Sequence, residues 1–260
     1  MKSVILKSGA AALAAFCVSA VSAAPIAQWD YMVNSSFLAA ETQFTSGRAS
    51  SNGVASSDEI NWGVAGGTVG VNRSGLIISN SPSGGVLITD GDAALANSYT
   101  HVNNGNLGRN SVSLKVAEIA AQLQLRPTNS GLPYSSVGAT YTINFAETPN
   151  VAGTCVVQSA VACDDIFVLA GSLNESFTYD GFEYFVSFFA APTLTALDPA
   201  VCAAAGADAG CLGFTTQEFM STTVNFNLMI TSKAIDVPEP ASVALLGLGL
   251  LGLAASRRRN

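Results

Sequence analysis

The sequence predicts an all-β protein, an antiparallel β-sandwich of jelly-roll-like winding, on three observations. Apolar and polar residues alternate with period two in several short runs. Gly, Ser, Thr and Asn fill the gaps between those runs, where turns belong. Asp180-Gly181 separates two alternating aromatic runs, the composition of a two-residue hairpin, because Gly tolerates positive φ. The sandwich is assigned to 24–236, between distinct segments at 1–23 and 237–260.

The N-terminal segment reads as a signal peptide. Lys2 and Lys7 supply a basic start, residues 10–20 an apolar stretch, and Val21-Ser22-Ala23 a small-residue cleavage site. Cleavage falls after Ala23, since a cut after Ala24 would place Pro25 at the scissile bond. Cys17 is no lipidation site, because bulky Phe16 precedes it. The body then opens into a polar stretch at 45–59 that reads as a loop with nothing apolar to bury. Residues 85–89 read as a buried strand. Within 112–125 the apolar phase slips near Ala117-Glu118, as a bulge or a break between strands produces; a helical stripe through Val112, Val116, Ile119 and Leu123 is the competing reading. Tyr141, Ile143 and Phe145 alternate with polar residues, and 165–170 form a short apolar run. Phe177 and Tyr179 lead into the Asp-Gly turn, and Phe182, Tyr184, Val186 and Phe188 lead out. Val224, Phe226, Leu228 and Ile230 mark the last strand.

Charge narrows the partners. With Lys2, Lys7 and the three terminal arginines set aside, six of the 11 Lys+Arg remain against 17 of the 18 Asp+Glu, so the body sits near −11. Nucleic acid and anionic lipid need a basic footprint, and this body has none. Four cysteines remain after Cys17 leaves with the signal peptide. Export is oxidising, and the close spacings pair Cys155 with Cys163 and Cys202 with Cys211 as local disulfides. A metal role for them lacks a CxxC spacing.

The C-terminal segment has three parts: Pro238-Glu239-Pro240, sixteen uncharged residues at 241–256, and Arg257-Arg258-Arg259. A sixteen-residue helix spans about 24 Å, short of a roughly 30 Å hydrocarbon core, and crosses it with thinning and snorkelling arginines. The arginines belong on the cytoplasmic side and the tripeptide on the outer face. This order resembles the PEP-CTERM tail of Gram-negative proteins, a transmembrane sorting helix processed by exosortases. The resemblance implies transit through the inner membrane, an exosortase-type partner and a cell-surface or extracellular destination. It also implies a matrix role beside exopolysaccharide in biofilm. Thr100-His101-Val102-Asn103 holds the one histidine of the chain and resembles the Thr-His-any-Asn signature of the THxN type of these proteins. No activity comes with that resemblance.

As an enzyme the chain offers little. It has no GxSxG elbow, HExxH pair, P-loop or dinucleotide fingerprint, so the expectation is a non-catalytic protein with no catalytic residues and no cofactor. The alternative is a polysaccharide-processing enzyme at the cell surface, whose paired carboxylates sequence spacing would hide. His101 is expected to pack and hydrogen-bond within the sandwich, in a turn where Thr100 and Asn103 bond backbone groups. Two carboxylate clusters stand out. Asp90-Gly91-Asp92 reads as a turn, with Asp90 and Asp92 the candidates if calcium binds at all. Asp164-Asp165, beside Cys163 at a strand start, reads as a solvated loop.

Overall fold

The computed structural model describes residues 24–149, 155–157, 163–191 and 194–232. The expected signal peptide, the tripeptide, the apolar segment and the terminal arginines lie outside them. Among the described residues, no helix is long and apolar enough to cross a membrane. In chain order the strands are β1 (Gln28–Phe37), β2 (Gln43–Phe44), β3 (Ser51–Ala55), β4 (Glu59–Val64), β5 (Arg73–Ser79), β6 (Ser83–Ile88), β7 (Ala94–Val102) and β8 (Leu114–Pro127). There follow β9 (Ser135–Ala146), β10 (Asp165–Ala170), β11 (Asn174–Tyr179), β12 (Phe182–Ala191) and β13 (Thr195–Ala196), a helix α1 (Pro199–Ala204), then β14 (Leu212–Thr216) and β15 (Ser221–Thr231).

They form two curled antiparallel sheets. The first runs β13-β14-β10-β9-β8-β1-β6, with β2 also paired to β8; the second runs β11-β12-β15-β7-β5-β4-β3. The structure thus supports the all-β sandwich at the level of two antiparallel sheets, without the finer jelly-roll assignment. Side chains of the two inner faces interlock between the sheets. Trp29 of β1, fully buried, meets Phe177, Tyr179 and Tyr184 of the opposite sheet edge-on, at centroid distances of 5.6, 5.2 and 5.0 Å. Those three aromatics flank the Asp180-Gly181 turn, where both residues have positive φ, 47° and 80°. A two-residue turn of that twist matches the flanking strands.

Several expectations are corrected. The polar stretch at 45–59 contains β3 and the start of β4, the outer edge of the second sheet. An edge strand that covers little core needs no apolar alternation, and of β3 only Ser51 is buried. Arg73 holds this edge instead. Its buried guanidinium donates to the Asn61 and Asn52 side chains and to the Val64, Asn52 and Asn61 carbonyls, at 2.6–3.1 Å. Residues 85–88 fall on β6, an edge strand of the first sheet, where Leu87 alone is buried and Val86 and Ile88 stand exposed. From Leu114 onward the 112–125 stretch is strand, not helix. Its slip lies earlier than Ala117: pairing with β9 runs unshifted from Val116 to Leu125, while the register with β2 shifts between Val116 and Leu114.

The cysteines pair as expected, Cys155 with Cys163 and Cys202 with Cys211. The second bridge ties α1 to the start of β14. With Ile166, Val168, Val201 and Ala205 it forms a small apolar cluster on the outer face of β10. That leaves the inner face of β10, which carries Asp165 and Phe167, turned into the sandwich.

Candidate functional site

Period two places the residues of the site. On the inner face of β9, Tyr141, Ile143 and Phe145 are buried, and Glu147 continues the same phase just past the strand end. On β10 the phase carries Asp165 and Phe167. On β14 it carries Phe214 and Thr216, which pair across the sheet with Phe167 and Asp165. The first sheet therefore presents an aromatic layer with a polar layer one step beyond it. Phe145 and Phe167 lie 4.6 Å apart, and Phe167 stacks on Phe214 at 4.8 Å.

The second sheet answers in kind. Thr-His-x-Asn lies along β7 and its exit, so His101 and Asn103 share the inner face with Tyr99, while Thr100 points out and meets Thr223 Oγ1 at 2.9 Å. This corrects the expected turn: β7 pairs on both sides, with β5 and β15, through Val102. His101 is fully buried. Its ring stacks on Trp62 at 5.8 Å and packs against Phe145 and Phe167 at 5.6 and 4.4 Å. The packing is as expected, but the hydrogen bonding is not, because neither ring nitrogen has a partner. Nε2 approaches Asp165 Oδ2 at 3.9 Å, too far for a hydrogen bond. Burial alone pulls the imidazole down to about 3 and holds it neutral. Asn103 does bond a backbone group: its Nδ2 donates to the Thr216 carbonyl at 3.0 Å, which leaves Oδ1 without a donor.

Three carboxyl groups converge on this layer. Glu147, Asp165 and Glu218, the last from the connection between β14 and β15, each place a ligand atom within 4.8 Å of the others. Asp165 and Glu218 are 0% and 1% exposed. One oxygen each of Asp165 and Glu147 is fixed by the protein. Asp165 Oδ1 accepts from Thr148 N at 2.9 Å and Thr148 Oγ1 at 3.3 Å, and Glu147 Oε2 accepts from Trp62 Nε1 at 2.8 Å. Asp165 Oδ2, Glu147 Oε1, both Glu218 oxygens, Asn103 Oδ1 and Thr216 Oγ1 are buried and have no partner. Neighbouring carboxylates in a dry site disfavour ionisation. Burial first, then Glu218, push Glu147 to about 8; burial and then Asp164 push Glu218 to about 7, against the opposing pull of Asn103; burial and Glu147 raise Asp165 well above its ordinary value.

Asp165 therefore does not sit in the solvated loop the sequence implied. Asp90 and Asp92 do not belong to this group. Asp90 occupies a positive-φ turn, where its carboxylate accepts from Ser232 N at 2.9 Å and Ser232 Oγ at 2.8 Å, pinning the turn to the end of β15. Asp92 is exposed. Sequence reasoning passed over Glu147 and Glu218. The available signal was phase: Phe145-x-Glu147, Asp165-x-Phe167 and Thr216-x-Glu218 each put an acid in step with core-facing residues.

The PEP-CTERM protein-sorting motif matches residues 236–259. No curated protein matches the chain. The motif spans the tripeptide, the apolar segment and the arginines, and it implies export, a membrane-anchored precursor and processing by an exosortase. The THxN resemblance rests on Thr100, His101 and Asn103 alone.

Proposed function

We propose that the chain is a non-catalytic β-sandwich delivered by an exosortase system to the surface or extracellular matrix of a Gram-negative bacterium, where it associates with exopolysaccharide. The observation that carries the reading is the sorting motif at 236–259 behind a disulfide-bonded, two-sheet body. Acidity supports it, since a body near −11 repels nucleic acid and anionic lipid and stays dispersed in a hydrated polymer. The geometry of the carboxylates supports it too. Retaining and inverting glycosidases hold their two carboxyl groups about 5–5.5 Å or 6.5–9.5 Å apart around a sugar. Here one oxygen of each acid lies within 4.8 Å of the others and two of the three residues are buried, an arrangement unlike an open carboxylate pair that straddles a sugar.

The test uses mature protein collected from the host. Incubated with that host's exopolysaccharide, it is expected to co-sediment with the polymer and to generate no new reducing ends. Reducing ends that grow with time would replace this reading with the polysaccharide-processing one. Failure to co-sediment would remove the matrix partner.

A further inference from the structure

We propose that Glu147, Asp165 and Glu218, together with Asn103 Oδ1 and Thr216 Oγ1, form a buried binding site for one divalent cation of the calcium type. Its first support is spacing. Calcium holds oxygens at about 2.3–2.6 Å, so two ligands of one ion stand at most about 5 Å apart. Ligand atoms of the three carboxyl groups meet that bound, at 4.8 Å or less. They come from three separate segments: the end of β9, the start of β10 and the β14–β15 connection.

The second support is independent of the acids. Asn103 is 2% exposed and Thr216 is 1% exposed, yet Asn103 Oδ1 and Thr216 Oγ1 have no hydrogen-bond partner. Buried polar atoms are rarely left so, because each loses its hydration without a replacement partner. Both residues lie beside the cluster. Asn103 spends its amide nitrogen on the Thr216 carbonyl and lies against the Glu218 carboxyl group, and Thr216 is the direct cross-strand partner of Asp165. A cation satisfies every one of these acceptors at once.

The third support is how the carboxylates are held. Asp165 and Glu147 each have one oxygen fixed by neighbouring donors, Thr148 and Trp62, and one oxygen left open. Such outer partners orient metal-binding carboxylates. Glu218 offers both oxygens. One oxygen each from Glu147, Asp165, Asn103 and Thr216 and two from Glu218 make the six that calcium requires at minimum. No arginine or lysine of the described residues pairs with the three acids; the contact in that role is His101, which is neutral. His101 is not itself in the group, so the donor set is all oxygen and favours a hard cation over zinc. Of the three acids, the half-buried Glu147 also lines a surface groove, with Gly105, Arg109, Ser111 and Pro149.

The mature protein, stripped with EDTA and dialysed, is titrated with calcium chloride in a calorimeter and melted with and without it. One calcium per chain is expected, with a melting temperature about 5–10 °C higher at a hundredfold excess over the dissociation constant. Glu218→Gln, nearly the same shape, is expected to weaken calcium binding about tenfold or more and to lose the calcium-induced rise, while its metal-free form melts no lower than the wild type's. Asp90→Asn is expected to leave binding unchanged. Glu147→Gln provides a second reading if Glu218→Gln does not fold. No saturable calcium binding to the wild type, or full binding by both variants, overturns the proposal. So does a response to zinc alone that His101→Gln abolishes, since the donor set would then include the ring. Polysaccharide co-sedimentation in the presence of EDTA separates this site from the matrix reading.

Discussion

At the scale of the residue, His101 shows how much one buried side chain supports without a hydrogen bond. The ring fills the space between Trp62, Phe145 and Phe167 and is fully buried. Its replacement by Ala would remove those contacts and leave a cavity in the end of the core. We expect His101→Ala to cost about 2–4 kcal/mol, in the range of large-to-small core substitutions, measured by urea unfolding. His101→Leu is expected to recover most of that loss, because packing rather than polarity is what the ring supplies. Equal losses in both variants would show that a polar role of the imidazole dominates.

At the scale of the element, the ends of β9, β10 and β14 each deliver a polar side chain in the phase of the core, and this makes the metal-free protein sensitive to pH. Burial raises Glu147 to about 8 and Glu218 to about 7, from 4.5 in the unfolded chain. The folded form therefore holds protons that the unfolded form has lost, and stability drops as pH climbs through that range. His101 works in the opposite direction: lowered from 6.5 to about 3, it contributes stability above pH 6.5 that is lost as pH falls. Between pH 6.5 and 8 the carboxyl groups dominate, and His101 adds only the small remainder of its opposite change. The EDTA-stripped protein should melt lower at pH 8 than at pH 6.5, read by calorimetry. Each kcal/mol corresponds to about 2–4 °C for a domain of this size. An unchanged or rising melting temperature would mean that the three acids are solvated in solution.

At the scale of the whole molecule, the folded body and the sorting tail are separate devices. The body closes its own core from 24 to 232, and the motif at 236–259 lies beyond it. Processing should then depend on the tail chemistry and not on the sandwich. Replacement of Pro238-Glu239-Pro240 by Ala-Ala-Ala is expected to leave a full-length, membrane-held precursor in an exosortase-positive host, seen by fractionation and immunoblot. Normal trimming and release of that variant would contradict the sorting role of the tripeptide. The folding of the body, followed by its disulfides, should be the same in both.

What the sequence determined by itself was local. Period-two alternation fixed the strands at 140–145 and 223–230, a short apolar run fixed that at 165–170, and Asp180-Gly181 fixed a hairpin, because pleat and positive φ are properties of a few adjacent residues. The tail was legible for the same reason: residue order along one segment carries the signal. Pairing of Cys155 with Cys163 and of Cys202 with Cys211 followed from short spacings that leave little choice of partner. The edge strands β3 and β6 were misjudged, since burial depends on which neighbour a strand lacks. The convergence of Glu147, Asp165 and Glu218 was decided by tertiary structure alone. Sheet register brings together residues 18 and 53 positions apart in the chain. The opposing sheet adds Asn103 and His101 from a strand that no spacing in the sequence ties to them.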